Sequence, residues 1–522
     1  MWWGIPTYTL TNDTADNLVG TLETFMSTRH NIGYYNSACV TATYSSSITN
    51  RSSESLVFAA LRTVITQHPI LSAIPVNEHT NKPYFARLPH IDLRTCTQFI
   101  ERNKPFSPTE AGEVDSELEE LLESQHALDW NECLGTRPFW RAIVLHSPSA
   151  EDKFMVSWFF HHAISDGTSA LVFHQDLLAA INSLDSRKET EALQDGPLVD
   201  TSKVSDLFPP LEKMHKLPVS SSFLLKELWH DTFHHTHPKL WTGGKITNDP
   251  QAKKMRFRSI VISKEKTSKL VKLSRENKTT LTATMETVIA AATLANIDSS
   301  KYDHIVADGA MSLRRFLSLP ETSIEEQIGV YVSMYLNMHM HPSSMVREKG
   351  RIPAEDMTAL DIFSWEKARE IRSTIIKEVE KNGKNSRAAL LGWTGNQRKY
   401  WLKKIGKNRT ESIELTNIGI WKPKPAMVEG SWKVGRMTFS QCSSVSGSAH
   451  TTATVTGGDG CMSIGFSWLD GAREISLIQR ILNSARLCID NVAAGKKRFC
   501  SLSLLLVRPS HSSIVKTHGE YK

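Results

Sequence analysis

Residues 161–167, with the sequence HHAISDG, place two histidines and an aspartate directly after an apolar run, residues 154–160 (FMVSWFF). A hydroxyl that attacks an electrophile must lose its proton, and a positioned side chain can accept that proton as a general base. Imidazole suits this task, because its usual pKa of ~6.5 leaves it mostly unprotonated but still basic near neutral pH. We therefore assign the role of general base to His162, which His161 precedes in the chain.

Asp166 and Gly167 complete the motif. The carboxylate of Asp166, four residues after His162, could bond locally or pair with an arginine and fix the loop. Gly167 allows either a positive φ or a close approach of another segment where the loop enters a helix. Two other interpretations stay open. One is a pair of structural histidines near a turn, and the other is a metal site of His162 and Asp166, which requires a third ligand that the sequence does not show.

Hydrophobic periodicity predicts the elements that position this motif. Residues 139–146 and 154–160 are predicted strands, separated by a polar loop. A helix is predicted after the motif and ends near residue 185, where we place the end of a first domain, residues 1–185. The helix is indicated by apolar residues on roughly one face: Leu171, Leu177, Leu178, Ile181 and Leu184.

The beginning of this domain shows the same mixture of elements. Residues 17–44 predict a helix followed by a strand near residues 38–44, and residues 56–67 predict a second helix. The pair His68 and Pro69 ends that helix, since the residue before a proline avoids the α conformation.

Residues 186–254 differ in character and contain proline and glycine pairs, so we interpret them as an inter-domain crossover. A second domain, residues 255–522, is predicted to begin with a strand over residues 255–262 and helices over residues 264–276 and from Leu281 onward. Near its end a hairpin is predicted, whose second arm should bury one face through alternating residues: Met462, Ile464, Phe466 and Trp468.

The composition excludes several classes of function. The 522 residues include 61 basic and 55 acidic side chains, and the resulting charge of +6 is too small over this length to indicate a nucleic-acid partner. Seven scattered cysteines without a CxxC pair favour reduced thiols in the cytoplasm over a disulfide framework. The first residues lack the pattern of a signal peptide, and no run approaches the ~18 apolar residues of a transmembrane segment.

The HHxxxDG motif after a hydrophobic strand resembles the superfamily of chloramphenicol acetyltransferase, the plant BAHD acyltransferases and the condensation domains of nonribosomal peptide synthetases. Within it, the chain most resembles the alcohol acetyltransferase group found in fungi. Further landmarks of that group follow in order along nearly the whole chain: Arg29 with residues 33–36 (GYYN), 68–71 (HPIL), 137–140 (RPFW), 208–212 (FPPLE), 280–282 (TLT), 312–315 (SLRR), 329–333 (GVYVS), 416–419 (TNIG) and 439–441 (FSQ). The plant motif DFGWG is absent, which argues against a BAHD assignment.

This resemblance implies an α/β fold of two similar chloramphenicol-acetyltransferase-like domains, each a mixed sheet covered by helices. A channel between them would bring acyl-CoA and the acceptor together at His162. In such enzymes the motif aspartate is structural and pairs with an arginine, so a pair between Asp166 and Arg314 is expected. By position, Ser440 or Gln441 is a candidate donor to the oxyanion. Neither an acyl-enzyme, a bound cofactor nor a metal is expected, and acetyl-CoA is the co-substrate.

Two other segments have alternative interpretations. Residues 398–409 hold six basic side chains in twelve positions, for which a solvated helix face is favoured over contact with the phosphates of CoA or an acidic surface. His234, His235 and His237 resemble a metal tract, but no further ligand lies at suitable spacing, so a surface loop is predicted. Motifs for nucleotide binding and for serine hydrolysis are absent.

The motif, together with the family resemblance, predicts an acyl-CoA-dependent O-acyltransferase that acetylates a hydroxyl of a small molecule, without an obligate protein partner. The fungal group suggests a secondary metabolite as the acceptor. A stand-alone condensation-type enzyme, which would use a carrier-protein thioester in the same channel, is the alternative within enzymes. A silent member that only binds a ligand is the alternative from another class, and the intact motif argues against it.

Overall fold

The computed structural model describes residues 19–47, 52–80, 82–106, 113–131, 134–150, 152–184, 196–233, 238–249, 254–319, 323–342, 356–423, 430–470 and 475–496. The strands in these ranges are β1 (Ala38–Ser45), β2 (Ala73–Val76), β3 (Tyr84–Arg87), β4 (His90–Asp92), β5 (Thr97–Glu101), β6 (Trp140–His146), β7 (Lys153–Phe160), β8 (Leu198–Asp200), β9 (Met255–Ile262), β10 (His304–Ser312), β11 (Val332–Met340), β12 (Ile413–Ile420), β13 (Lys433–Gln441), β14 (His450–Thr456) and β15 (Met462–Leu469).

The α-helices in the same ranges are α1 (Thr21–Asn31), α2 (Ser53–Gln67), α3 (Leu93–Cys96), α4 (Ser116–His126), α5 (Gly167–Ser183), α6 (Leu211–Met214), α7 (Ser221–Phe233), α8 (Lys264–Glu276), α9 (Leu281–Leu294), α10 (Ala359–Ile362), α11 (Trp365–Glu380), α12 (Arg387–Leu391), α13 (Gln397–Leu402) and α14 (Ile475–Ala493). Helices and strands mix along the whole described chain, so the fold is α/β, as predicted.

Two large mixed sheets form the framework. The first has the strand order β13-β1-β7-β6-β5, in which only β5 and β6 are parallel neighbours. The second has the order β11-β10-β12-β14-β15-β9, with β12 parallel to both of its neighbours. Helices α2 and α5 pack together beside the first sheet, and α9 and α14 pack together beside the second.

Local sequence signals explain several helix ends. The hydroxyl of Ser52 accepts a hydrogen bond from the amide of Glu54 at the start of α2, and α2 ends at Gln67, before His68 and Pro69. This is the end that the histidine–proline pair predicts. The predicted strand over residues 255–262 and the predicted helix over residues 264–276 also have the observed bounds of β9 and α8.

The hairpin of β14 and β15 is present, but the expectation of one buried face was wrong. All eight residues of β15 are buried. The face opposite Phe466 packs against β13 of the first sheet, so closely that a methyl group on Gly465 would lie 2.7 Å from the carbonyl oxygen of Phe439. The alternating large apolar residues of β15 mark the face that packs in its own core. Small residues on the other face allow the first sheet to pack closely there.

Strand β13 joins the two halves of the chain. It lies late in the sequence but pairs with β1 in the first sheet. The crossover is also less irregular than its composition indicated, since it contains β8, which pairs with β4, and helices α6 and α7. The domain boundaries at residues 185 and 254 stay predictions.

The basic run at residues 398–409 is only partly a helix, because α13 ends at Leu402. The interpretation of the whole run as a solvated helix face was wrong for Arg409. This side chain is buried and donates hydrogen bonds to the carbonyl oxygens of Val445 and Gly447, at 2.6 and 2.7 Å. It therefore holds a loop of the fold.

Some predictions fall on residues outside the described ranges, namely the N-terminal residues 1–18, the histidines at 234, 235 and 237, and the cysteines at 133 and 500. Among the described residues, no helix has both the length and the apolar composition needed to cross a bilayer. No disulfide joins the described cysteines, all of which are buried: Cys39, Cys96, Cys442, Cys461 and Cys488.

Candidate active site

The HHxxxDG motif forms the connection between β7 and α5. The backbone amide of His161 donates to the carbonyl of Phe139 at 2.9 Å, which extends the pairing of β7 with β6 by one residue. At the other end, Asp166 is the N-cap of α5 and its Oδ1 accepts from the amide of Ser169 at 2.8 Å. Residues 162–165, which include His162, are thus held between a sheet and a helix.

Asp166 and Arg314 form the predicted ion pair. Arg314 Nη1 donates to Asp166 Oδ2 at 2.7 Å, and both side chains are fully buried. The same oxygen accepts from the amide of Tyr331 at 3.0 Å, while Ser169 Oγ donates to Oδ1 at 2.9 Å. Burial would raise the pKa of Asp166, but the charge and hydrogen bond of Arg314 outweigh it and keep the pKa below its usual value.

This arrangement gives the carboxylate of Asp166 a structural role. Its two oxygens accept four hydrogen bonds from protein groups, so neither is directed to a substrate or to a metal ion. The geometry therefore argues against the metal site of His162 and Asp166. Arg314 also donates to the carbonyl of Gln327 at 3.1 Å, so the pair joins α5 to the segment between β10 and β11.

Gly167 is required for a close approach and not for its φ, which is outside the left-handed region. A methyl group at this position would lie 2.5 Å from Ile418 Cγ2 and 3.3 Å from the ring of Phe439. The first turn of α5 therefore rests directly on β12 and β13. Of the two reasons that the sequence left open, close approach is the one that applies.

His162 is partly exposed, and its Nδ1 is buried without a hydrogen-bond partner among the described residues. Its ring lies 5.6 Å from the ring of Tyr35 and 6.4 Å, nearly perpendicular, from that of Phe160. Burial, together with the positive charge of Arg29, lowers the pKa of His162 to about 4, although Asp166 and nearby carbonyls act in the opposite direction. The imidazole is therefore neutral near pH 7.

A chain of polar side chains leads from His162 to the second sheet. The guanidinium of Arg29 lies over the ring of Tyr35, 4.8 Å from its centroid. The hydroxyl of Tyr35 donates to Gln441 Oε1 at 3.4 Å, and Gln441 Nε2 donates to Glu414 Oε1 at 3.1 Å. Burial raises the pKa of Glu414. The charge of Arg29 and the hydrogen bonds donated to Glu414 partly oppose this increase.

The two candidate oxyanion donors have different surroundings. Gln441 contacts Tyr35, whose ring is beside His162. Ser440 is fully buried, and its Oγ lies 2.9 Å from Nε2 of His126. Neighbouring residues of a strand point to opposite faces, so the two side chains cannot serve the same place.

His161 is buried beside His162. Its Nδ1 accepts a hydrogen bond from the amide of Ala163 at 3.0 Å, and its Nε2 lies 3.5 Å from Glu78 Oε1. The ring of His30 stands nearly perpendicular to it, with centroids 4.5 Å apart. Burial and the proximity of His30 lower the pKa of His161 to about 4.

Comparison with known proteins places this geometry in a family. The family model for alcohol acetyltransferases matches residues 18–482. The chain belongs to the alcohol acetyltransferase family. The protein is therefore an acyltransferase, and the resemblance carried by its motif and landmarks is confirmed.

Relatives from this family are similar over most of their length. A probable alcohol acetyltransferase of Aspergillus fumigatus is 32% identical over 471 residues, which cover 88% of this chain and 96% of that protein. A probable alcohol acetyltransferase of Fusarium pseudograminearum is 26% identical over 484 residues, with coverage of 88% and 92%.

Solved structures show the same fold at lower identity. Trichothecene 15-O-acetyltransferase from Fusarium sporotrichioides superposes with a TM-score of 0.68 at 14% identity, covering 93% of this chain and 97% of that chain. The first condensation domain of the calcium-dependent antibiotic synthetase superposes with a TM-score of 0.58 at 12% identity, with coverage of 92% and 97%.

Sequence reasoning missed several residues of this alcohol acetyltransferase site. Arg29 and Tyr35 appeared only as landmarks of the family, and His30, Glu78 and Glu414 were not singled out. A buried carboxylate has no local pattern that distinguishes it from a surface one. Only the adjacency of His30 to the landmark Arg29 offered a signal.

Proposed function

We propose that this protein transfers an acetyl group from acetyl-CoA to a hydroxyl of a small molecule, with His162 as the general base. The observation that carries the proposal is the neutral, partly exposed imidazole of His162 at the end of β7, in a chain of the alcohol acetyltransferase family. The ion pair of Asp166 and Arg314 supports it, because it holds the loop that carries this ring.

The reaction that we propose has one tetrahedral intermediate. His162 takes the proton of the acceptor hydroxyl while the oxygen attacks the thioester carbonyl. Since Nδ1 is the buried ring nitrogen, Nε2 is the one that meets the acceptor. The intermediate then collapses to the ester, the C–S bond breaks, and the thiolate of CoA receives the proton from His162. No covalent acyl-enzyme forms.

The surroundings of His162 suit a base that works near neutral pH. Burial lowers the pKa of His162 to about 4, so almost every molecule holds the ring unprotonated and ready to accept a proton. A lower pKa also makes a weaker base, so we expect alignment with the acceptor to supply much of the rate.

Gln441 is our preferred donor to the oxyanion. One hydrogen of its amide is directed to Glu414 Oε1, which leaves a second hydrogen for a ligand beside Tyr35. Ser440 is the less favoured candidate, because its hydroxyl is buried against His126.

We further propose a fungal secondary metabolite as the acceptor. The support is the relation to fungal family members and the fold shared with an enzyme described as a trichothecene 15-O-acetyltransferase. We also propose that the protein acts in the cytoplasm, since no disulfide joins its described cysteines.

The test measures release of free CoA from acetyl-CoA with a panel of alcohols and amines, for the wild type and His162→Ala. We expect alcohol-dependent release that the substitution reduces by a factor of ~10²–10⁴. His146→Ala, at the end of the neighbouring strand β6, is the matched control and should retain activity. Acetyl-CoA binding by calorimetry and circular dichroism should be unchanged in both variants. Release that survives His162→Ala would contradict the assignment of the base.

A second part of the experiment distinguishes the two possible acyl donors, acetyl-CoA and a carrier-protein thioester. An acetylated phosphopantetheinyl carrier protein replaces acetyl-CoA, with the same acceptors and variants. Transfer from the carrier alone would establish the condensation-type alternative, and acceptor binding without transfer from either donor would indicate a silent member. Transfer from acetyl-CoA alone is the result that we expect.

A further inference from the structure

We propose that Glu78 is a positioning residue of the active site, which fixes the orientation and the tautomer of His161 and thereby the loop that carries His162. The inference rests on the proposed function, because it concerns the placement of the same base. It is carried by a buried cluster of Glu78, His30, His161 and Ser27, which lies beside the motif.

Glu78 reaches the site from the turn between β2 and β3. The preceding residue, Asn77, has a φ of 59°, a left-handed conformation that asparagine tolerates better than most residues. The amide of Thr80 donates to the carbonyl of Asn77 at 2.9 Å and closes this turn. The side chain of Glu78 is 5% exposed, although it belongs to a loop. A carboxylate in a loop is buried at a cost in solvation unless it is matched by donors.

Three side chains face this carboxylate, and two of them, Ser27 and His30, are hydrogen-bonded to it. Ser27 Oγ donates to Glu78 Oε1 at 2.6 Å, and Nδ1 of His30 lies 3.0 Å from Oε2. Nε2 of His161 lies 3.5 Å from Oε1, a charge contact that is not aligned as a hydrogen bond. Burial alone would raise the pKa of Glu78, but the two histidines outweigh it and lower the pKa to about 2. Glu78 is therefore a carboxylate, which can only accept, so both histidines must present an N–H to it.

The requirement on His161 agrees with its other contact. The amide of Ala163 donates to Nδ1 of His161 at 3.0 Å, and a neutral ring that accepts there carries its proton on Nε2. Glu78 faces that proton. The carbonyl of His161 also accepts from the amide of Ile164 at 3.1 Å. His162 thus lies between anchored residues, and a rotated His161 ring would release the amide that follows His162.

The same cluster has the composition of a metal site, since one ligand atom each from His30, Glu78 and His161 lies within 4.8 Å of the others. The tautomer of His161 argues against this use. A neutral histidine that binds a metal through Nε2 carries its proton on Nδ1, where it would face the amide hydrogen of Ala163. The hydrogen-bonded arrangement leaves no such conflict.

The experiment compares Glu78→Gln and Glu78→Asp with wild type. Glutamine preserves the shape but offers an amide donor to one histidine, whereas aspartate is shorter and remains an acceptor. We expect Glu78→Gln to lower kcat by a factor of ~10–100 while KM for acetyl-CoA changes little, since binding contacts remain. Glu78→Asp should retain more activity than Glu78→Gln. The 15N shifts of His161 in a 15N-histidine-labelled protein should show Nε2–H in wild type and its loss or mixing in Glu78→Gln.

Glu286→Gln is the matched control. Glu286 is fully buried on α9 and accepts from three side chains, Tyr335, Asn337 and His339, within 3.1 Å. Glu286→Gln makes the same chemical change beside the second sheet. It should lower the melting temperature about as much as Glu78→Gln does, but it should leave kcat within about twofold. If Glu78→Gln behaved like this control, Glu78 would be merely structural.

Other results would also overturn the inference. A glutamine variant as active as the aspartate variant would show that shape, not acceptor chemistry, matters at this position. One equivalent of metal in the purified wild type, lost in Glu78→Gln, would establish the metal site instead. If His162→Ala retained transfer, the proposed function would fail first. If His162→Ala were inactive and Glu78→Gln fully active, only the role of Glu78 would fail.

Discussion

Asp166 and Arg314 meet at 2.7 Å with both side chains excluded from solvent. One belongs to the cap of α5 and the other follows β10 of the second sheet, 148 residues later in the chain. A buried pair of this kind is costly to break, because the remaining charge has no partner and no water. The pair therefore ties the active-site loop to the second sheet.

Asp166→Asn should lose activity through this connection. Asparagine cannot neutralise Arg314, so we expect a loss of ~3–5 kcal/mol in the free energy of unfolding and a fall in kcat of about 10²-fold. Urea unfolding and CoA release measure the two effects. Glu276→Gln, in an exposed pair with Lys272, is the control and should change stability by less than ~0.5 kcal/mol. A fully active Asp166→Asn would show that the loop does not depend on the pair.

The pH dependence of transfer should report His162. The neutral form is the base, and burial lowers the pKa of His162 to about 4, so activity is lost only as the pH falls through that value. We expect kcat/KM to be nearly constant from about pH 8 to about pH 6, without the inflection near ~6.5 of an ordinary histidine. Stopped assays of CoA release, with circular dichroism at each pH, provide the measurement. An inflection near the ordinary value would place His162 in a more solvated site.

The buried histidines should make the stability of the protein depend on pH. Burial lowers the pKa of His126 to about 3 and those of His161, His162 and His174 to about 4. Since the unfolded chain binds protons near ~6.5, this stability is complete above that pH and is lost as the pH falls towards about 4. Each histidine adds a slope of up to ~1.4 kcal/mol per pH unit, and buried acids such as Glu23, whose pKa burial raises to about 8, oppose this slope.

Urea unfolding at about pH 7, 6 and 5 measures that slope. His174→Gln is the informative variant, because His174 bonds to Tyr44 and Val40 in the core and plays no part in the proposed reaction. It should reduce the slope by the share of one histidine. An unchanged slope in His174→Gln would contradict the prediction.

Gly167→Ala should test the contact between α5 and the second sheet. The added methyl group would lie 2.5 Å from Ile418 Cγ2, so we expect a loss of ~1–3 kcal/mol in the free energy of unfolding. Ile418→Ala removes Cγ2 of Ile418. The double variant should therefore lose less free energy of unfolding than the sum of the losses in the two single variants. Gly435→Ala is the control, because the nearest atom to its new methyl group would be the carbonyl oxygen of Thr43, at an ordinary contact distance of 3.9 Å. Strict additivity would show that the contact is not the constraint.

Gln441→Ala and Ser440→Ala should separate the two candidate donors. We expect Gln441→Ala to reduce kcat by ~10²-fold or more, since an oxyanion donor acts mainly in the transition state. Ser440→Ala should retain kcat and lose ~1 kcal/mol of stability with its contact to His126. The reverse order of the two kcat values would move the oxyanion role to Ser440.

Much of the local structure could be predicted from the sequence. The bounds of β9 and α8 follow from apolar periodicity, and the end of α2 follows from a histidine before a proline. These features depend on the backbone and on the burial of neighbouring residues, which a short stretch of sequence encodes. The pairing of Asp166 with Arg314 was predicted differently, from the family resemblance and not from periodicity.

Contacts between distant segments could not be predicted in this way. The alternation in β15 indicated one buried face, because it does not reveal that β13 covers the other. Gly167 was compatible with two explanations until Ile418 was placed against it. Glu78 gave no signal, since its burial depends on two histidines, at positions 30 and 161, that approach it from other elements.

The sequence by itself thus determined the fold class, several element boundaries and the histidine that can act as a base, because these depend on periodicity and on residue type. Only the tertiary structure decided what surrounds that histidine. The pKa of His162, the anchoring of its loop and the roles of Glu78, Gln441 and Gly167 depend on burial and on distances of a few ångströms. Such distances are set when distant segments pack together, and no local pattern in the chain records them.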